Sequence, residues 1–130
     1  MVSDMDVAFE LYVSRFYKNK ANNARRDGYE FGLSLISVRN LLMAKRCYYT
    51  GRGMTLPNYR QDGSVPGNVP QRPTDVTIDR VDNSLGYVKG NVVACCKAAN
   101  SFKARLENDH FELGMDDMMR MSDKLKKRMK

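Results

Sequence analysis

Hydrophobic residues near the start of the chain recur at the spacing of an α-helix. They fall at intervals of four, three and four residues, which places them on one face of a helix over about residues 4–18. These positions are Met5, Phe9, Tyr12 and Phe16. The residues from 19 to 28 are polar and basic and end in glycine, a composition that predicts an exposed connection.

A second amphipathic helix is predicted over residues 34–45. Ser34 is a residue type that favours the N-cap position, and the apolar residues that follow it form one buried face. These residues are Leu35, Val38, Leu41 and Leu42. Between residues 49 and 74 lie all 4 prolines of the chain together with several glycines, which predicts a long irregular segment.

Further along the chain, the pattern changes to short runs of β-branched residues. Residues 76–78 and 91–95 have this composition and are predicted to form strands, joined by a wide loop of turn-forming residues. Apolar positions four residues apart then predict a helix over residues 97–108, and a last helix begins near Gly114 or Met115. The order strand, loop, strand, helix, flanked by other helices, predicts an α+β fold.

The composition limits the classes of protein to which the chain can belong. Its 130 residues fit one domain, and its net charge of +7 favours a polyanionic partner such as nucleic acid. No apolar run approaches the roughly 20 residues that a membrane-spanning helix needs, and the first residues lack the pattern of a secretory signal. We therefore expect no membrane partner and a cytoplasmic location in a bacterium or a phage-infected host cell.

The cysteines argue against two kinds of structural crosslink. The chain has 3 of them, Cys47, Cys95 and Cys96, and an odd number in a cytoplasmic protein argues against a disulfide framework. A structural zinc site usually takes four ligands, commonly from two Cys-x-x-Cys pairs, and no such pair occurs here. We therefore expect no structural zinc.

One window combines charged, amide and glycine residues at separated positions. It contains Asp79-Arg80-Val81-Asp82-Asn83, then Gly86-Tyr87, then Gly90-Asn91, and finally Asn100 followed three residues later by Lys103. Upstream lies Arg46-Cys47-Tyr48-Tyr49-Thr50-Gly51, which is similar to a Cys-x-x-Thr/Ser-Gly motif. Together these motifs resemble the HNH endonuclease family, also called His-Me finger or ββα-metal nucleases, in the Asp-Arg form found in many phage members. The resemblance covers roughly residues 33 to 106.

The resemblance implies a fold and an activity. The fold would be a ββα-metal finger with a long irregular loop: a helical part at residues 1–46, an HNH-like core at 47–108 and a C-terminal helix with a basic end at 109–130. The activity would be hydrolysis of phosphodiester bonds in DNA at a single divalent-cation site. Asp79 and Asn100 are the implied metal ligands, and their oxygen atoms suit Mg²⁺ or Mn²⁺. Asn91 is implied to organise the loop by bonding backbone groups across it.

The general base is left open, because Arg80 stands where many members of the family carry a histidine. Arginine keeps its proton at physiological pH and cannot act as an ordinary base. In one interpretation Arg80 holds the scissile phosphate while Asp82 or a water molecule at the metal acts as the base, although Asp82 is also a common turn residue. In a second, His110 approaches from the C-terminal segment. In a third, the site is inactive and the fold binds nucleic acid or a host protein.

These considerations give a set of candidate site residues and partners. The candidate catalytic residues are Asp79, Arg80, Asp82 and Asn91. The candidate nucleic-acid-binding residues are Arg80, Lys89, Lys97, Lys103, Arg105, Arg25 and Arg26. The predicted partner is DNA, with RNA as an alternative. A homodimer formed through the methionine-rich last helix is a further alternative to packing of that helix on the core.

Overall fold

The computed structural model describes residues 4–108 and 111–128, with side chains from residue 6 onward. Within these ranges the chain forms four helices and two strands, so it is an α+β protein, as the sequence predicts. The elements are α1 (Asp4–Arg26), α2 (Leu35–Leu42), β1 (Val76–Arg80), β2 (Val92–Cys96), α3 (Lys97–Asn108) and α4 (Met115–Arg128).

Helix α1 is longer than the sequence pattern predicts. The exposed connection predicted over residues 19–28 is wrong, because the helix continues to Arg26. Lysine, alanine and arginine are strong helix formers, and burial of Ala24 stabilises the added turns. The helix ends where Gly28 adopts a left-handed conformation with φ of 81°, while the N–H groups of Gly28 and Tyr29 donate to the carbonyls of Arg25 and Ala24.

Helix α2 begins where it is predicted but ends earlier. The Ser34 hydroxyl accepts a hydrogen bond of 3.1 Å from the N–H of Ser37, which confirms Ser34 as the N-cap. The helix ends at Leu42 rather than at residue 45, and it buries Val38 and Leu42. The prediction that Leu35 faces the core is wrong, since Leu35 lies at the exposed first position of the helix and is 46% accessible.

The two strands pair antiparallel, with Val76 opposite Cys96 and Asp79 opposite Val93. Helices α2 and α3 each contact both strands, and α1 packs on α2. The main hydrophobic core lies between these elements. It consists of Tyr12, Val13, Leu33, Val38, Leu42, Val76, Ile78 and Ala94.

The long segment between α2 and β1 is irregular, as predicted, and is attached to the sheet at a few points. Among the described residues it contains only isolated bridges, between Arg46 and Gly53 and between Thr55 and Asp75. The Tyr48 N–H donates to the carbonyl of Ala94 at 2.9 Å, which places this part of the segment against β2.

Helix α4 contacts no other helix or strand in the described part of the chain. None of its described residues is buried, and its larger apolar side chains are mostly exposed, including Met115, Met119, Met121 and Leu125. Packing of this helix on the core is therefore not seen. None of the described helices is long and apolar enough to cross a bilayer.

Candidate functional site

Asp79 lies near the end of β1 with its carboxylate held between two other side chains. Its residue surface is only 9% exposed. Its Oδ2 atom accepts a 2.6 Å hydrogen bond from the hydroxyl of Tyr49, which comes from the irregular segment. The same oxygen lies 3.4 Å from the Nζ of Lys103, which comes from α3. Three separate parts of the chain therefore meet at this carboxylate.

Lys103 is the centre of a small charged network. Its Nζ atom lies 2.5 Å from Oε1 of Glu107 and donates to the carbonyl of Arg80 at 3.1 Å. Burial alone would lower the pKa of Lys103, but the hydrogen bond to Glu107 and the charges of Asp79 and Glu107 outweigh it and raise that pKa. Lys103 is consequently cationic throughout the physiological range of pH.

Asn100 and Asp79 line the same cleft, as the resemblance implies they should. The Nδ2 group of Asn100 donates to Oγ1 of Thr77 at 3.1 Å, which fixes the orientation of its amide. The cleft has a volume of about 360 Å³, and we call it the Asp79 cleft. Its lining includes Asp79, Arg80, Asn100, Lys103 and Glu107.

Asn91 holds the loop between β1 and β2 in shape. Its side chain is buried, and its Oδ1 atom accepts from the N–H of Asp82 at 2.9 Å. Its Nδ2 group donates to the carbonyls of Asp82 at 3.1 Å and Gly86 at 3.0 Å. These are the backbone bonds across the loop that were expected of Asn91.

The same loop is also fastened to the segment after α1. The N–H of Tyr87 donates to the carbonyl of Glu30 at 2.8 Å. A Cβ atom at Gly86 would lie 2.4 Å from that carbonyl oxygen, so only glycine fits at this position. The loop is therefore fixed both from within and from outside.

Arg80 stabilises the loop between β1 and β2 by hydrogen bonds from its side chain. Its Nη1 atom donates to the carbonyls of Asn83 at 2.9 Å and Leu85 at 3.0 Å. Its guanidinium stacks on the ring of Tyr29, with 3.7 Å between the guanidinium carbon and the ring centroid. These contacts fix a positive charge at the wall of the Asp79 cleft.

Asp82 forms a turn rather than facing the cleft. Its Oδ1 atom accepts from the hydroxyl of Ser84 at 2.6 Å and from its N–H at 2.9 Å. These hydrogen bonds, the hydroxyl first, lower the pKa of Asp82, and a lower pKa makes a carboxylate a weaker base. Asp82 does not line the Asp79 cleft, so its geometry favours the interpretation as a turn residue. The other candidate base, His110, lies outside the described residues.

The candidate nucleic-acid-binding residues are spread over several surfaces. Arg80 and Lys103 line the Asp79 cleft, and Lys89 lines a separate groove beside β2. Lys97 donates to the hydroxyl of Ser101 at 2.9 Å on the surface of α3. The remaining three, Arg105, Arg25 and Arg26, line neither of these depressions.

Sequence reasoning missed three side chains at the site. Glu107 lies one helical turn after Lys103, and this spacing of opposite charges was a usable signal. Tyr49 lies inside the upstream motif, but nothing in the sequence of that motif predicts its hydrogen bond to Asp79. Tyr29 is brought to Arg80 only by the fold.

The cysteines form a second buried cluster close to Tyr49. Cys47, Cys95 and Cys96 pack together, and all are free thiols. Burial alone would raise the pKa of Cys47, but hydrogen bonds from the Thr50 hydroxyl and from backbone N–H groups lower it to about 7. Burial raises the pKa of Cys95 to about 11. Within the described ranges, no three His, Cys, Asp or Glu side chains form a group that could hold a metal ion.

Comparison with known proteins finds sequence similarity to a phage protein but no family. Neither a protein-family model nor a solved structure gives a significant match to this chain. An uncharacterized 29.0 kDa protein in the dda-modA intergenic region of Enterobacteria phage T4 is 28% identical over 92 residues. The alignment covers 71% of this chain and 32% of that protein, so the chain spans about a third of the length of its relative.

Proposed function

We propose that this protein is a metal-dependent endonuclease of the HNH type, which hydrolyses phosphodiester bonds in DNA. The observation that carries the proposal is that Asp79, Asn100 and Lys103 line one cleft. Asp79 lies near the end of β1, and Asn100 and Lys103 lie in α3, the helix that follows β2. Asn91 holds the loop between the two strands by hydrogen bonds. The assignment of this strand, loop, strand and helix unit to the ββα-metal fold is part of the proposal.

The donor atoms in the Asp79 cleft suit a hard divalent cation. Asp79 offers a carboxylate and Asn100 an amide oxygen, and oxygen ligands of this kind bind Mg²⁺ or Mn²⁺. These two residues would hold the cation, which when bound neutralises charge that develops on the phosphate. A cysteine cluster behind Tyr49 offers soft sulfur atoms instead and plays no part in this proposal.

The protein's own side chains would bind and orient the phosphate. Lys103 is cationic, and Arg80 supplies a fixed guanidinium at the cleft wall. Lys20 lines the same cleft, so three cationic side chains line the space that an anionic backbone would enter, beside the two carboxylates of Asp79 and Glu107. Since Arg80 keeps its proton and Asp82 is used in a turn, we do not assign the general base to either residue.

Plasmid cleavage tests this proposal. Supercoiled DNA is incubated with the protein and Mg²⁺ or Mn²⁺, and nicked or linear products are separated on a gel. We expect cleavage that EDTA abolishes and that Asp79→Ala and Asp79→Asn each reduce by about 10²-fold or more. The Asp79→Asn variant keeps an acceptor for the Tyr49 hydroxyl. Asp116→Ala on α4 is the matched control for the loss of one aspartate. Intact plasmid with every metal would overturn the hydrolytic proposal.

One observation favours a second function, that of a catalytically inactive protein that binds nucleic acid or a host protein. The Asp79 carboxylate is nearly buried and already bonded to Tyr49 and Lys103, while Arg80 is engaged by the loop. In that case a gel shift of DNA persists in Asp79→Ala, and the unmodified protein gives no cleavage product.

A further inference from the structure

A groove separate from the Asp79 cleft lies between the start of α2 and β2. Its volume is about 760 Å³. Apolar side chains form much of its lining, among them Leu33, Leu41 and Val92, and the exposed residues Arg46, Tyr48 and Lys89 also line it. We call it the Tyr48 groove.

Tyr48 is an exposed aromatic residue in the lining of this groove. The residue is 64% exposed, so packing in the core does not account for it. Its ring meets that of Tyr49 edge-on, with 5.2 Å between centroids and 84° between planes. Because the Tyr49 hydroxyl donates to Asp79, the Tyr48 groove is joined to the proposed active site through two adjacent residues.

The charges around the groove select the kind of molecule that fits it. Arg46 is held in place by donating to the carbonyl of Gly51 at 3.2 Å, and Lys89 lies at the end of the loop before β2. None of the described residues that line the groove is acidic. An apolar floor, an open aromatic ring and two cations together match a nucleotide, which has a flat base and an anionic phosphate.

We propose that the Tyr48 groove binds an unpaired nucleotide of single-stranded DNA. The base stacks on the Tyr48 ring, and the flanking phosphates lie near Arg46 and Lys89. This inference rests on the proposed nuclease function and names its substrate class, namely DNA with an unpaired segment next to the cleavage site. Stacking on an aromatic ring is open to every base, so the groove confers a preference for strand state rather than for sequence.

Binding of labelled oligonucleotides in EDTA tests the inference without any need for cleavage. Fluorescence anisotropy is measured with a fluorescein-labelled single strand and with the duplex of the same sequence. We expect the protein to bind the single strand more tightly, and Tyr48→Ala to weaken that binding by about tenfold or more. Tyr48→Phe, which keeps the ring, stays within about threefold of the unmodified protein. Phe102→Ala is the matched control, since Phe102 is 56% exposed on α3 and lines neither depression.

The cation at the groove is tested by the salt dependence of the same binding. Lys89→Ala is expected to reduce the slope of log affinity against log salt for the single strand by about 0.7, whereas Lys124→Ala on α4 leaves it unchanged. Equal binding of the single strand by Tyr48→Ala and the unmodified protein overturns the inference, as does an equal loss in Phe102→Ala. A loss confined to Tyr48→Ala supports the groove even if the plasmid is never cut. Plasmid cleavage with unchanged binding by Tyr48→Ala supports only the nuclease.

Discussion

The hydroxyl of Tyr49 donates a 2.6 Å hydrogen bond to the carboxylate of Asp79, 30 residues further along the chain. This contact joins the irregular segment to the end of β1, where Lys103 approaches the same oxygen atom. The hydroxyl proton therefore has a specific partner, and loss of that proton would leave two anions in contact.

Replacement of Tyr49 by phenylalanine should change how stability depends on alkaline pH. Burial, followed by the hydrogen bond and charge of Asp79, raises the pKa of Tyr49. A raised pKa in the folded state gives stability that is complete below the ordinary tyrosine value of about 10 and is lost as the pH rises above it. Tyr49→Phe should therefore lose less stability than the unmodified protein between about pH 8 and about pH 11.

Urea unfolding at the two pH values measures this difference. At the lower pH, Tyr49→Phe should cost about 1.5–3 kcal/mol in the free energy of unfolding, because a hydrogen bond to a nearly buried carboxylate is lost. Tyr48→Phe is the matched control for the loss of one tyrosine hydroxyl, since Tyr48 is 64% exposed. Identical pH dependence in Tyr49→Phe would contradict the assignment. Some alkaline dependence will remain in every variant, since burial also raises the pKa of Tyr12.

Replacement of Asn91 by alanine should destabilise the fold strongly. The side chain is 6% exposed and bonds the backbone of Asp82 and Gly86 on both sides of the loop. Its loss leaves three partly buried backbone groups of the loop without their side-chain partner, which costs about 2–4 kcal/mol in the free energy of unfolding. Chemical denaturation measures the change, and Asn40→Ala on the exposed side of α2 should stay within about 0.5 kcal/mol. A similarly small effect at Asn91 would show that the loop is held by other contacts.

Local sequence signals predict which helices and strands form, but they predict the first and last residues of these elements less well. The predicted range of α3 agrees with the structure, because its apolar spacing starts immediately after a strand. Helix α1 was predicted too short, since residues 19–26 look polar and the buried contact of Ala24 depends on the folded chain. Leu35 was predicted to be buried because periodicity gives a face but does not show where the neighbouring elements end.

The candidate site could be predicted only where its residues lie in one motif. Asp79, Asn100 and Lys103 do line one cleft, and Asn91 makes the backbone bonds expected of it. The contact of Tyr49 with Asp79 spans the irregular segment, whose path no periodic pattern specifies.

Replacement of Lys103 by methionine should reveal the cost of leaving its partners unpaired. The Lys103 side chain is 18% exposed and lies between the carboxylates of Asp79 and Glu107. Methionine keeps most of the length but removes the charge, so two neighbouring carboxylates lose their common cation. We expect a loss of about 1–3 kcal/mol in the free energy of unfolding. Arg120→Met is the surface control, since its pair with Asp117 is largely exposed and should contribute less than about 1 kcal/mol. Equal effects of the two substitutions would argue against a partly buried network at Lys103.

The thiol of Cys47 should ionise near neutral pH. Burial opposes ionisation, but the Thr50 hydroxyl and backbone N–H groups hydrogen-bond the sulfur and lower its pKa from 9.0 to about 7. We expect the difference in thiolate ultraviolet absorbance between the unmodified protein and Cys47→Ser to titrate with a midpoint near pH 7. Thr50→Val, which removes the hydroxyl but keeps the shape, should move that midpoint upward. Cys95→Ser is the matched control, because the pKa of Cys95 is raised to about 11 and its removal leaves the titration near pH 7 unchanged.

The lowered pKa of Cys47 also has a consequence for stability. A folded-state pKa below the unfolded value contributes stability that is present above about pH 9 and is lost as the pH falls through about 7. The free energy of unfolding of the unmodified protein should therefore rise between these values relative to Cys47→Ser, and urea unfolding at each pH measures the difference. A midpoint near 9 in the absorbance titration, together with a constant stability difference, would contradict the hydrogen bonding assigned to this sulfur.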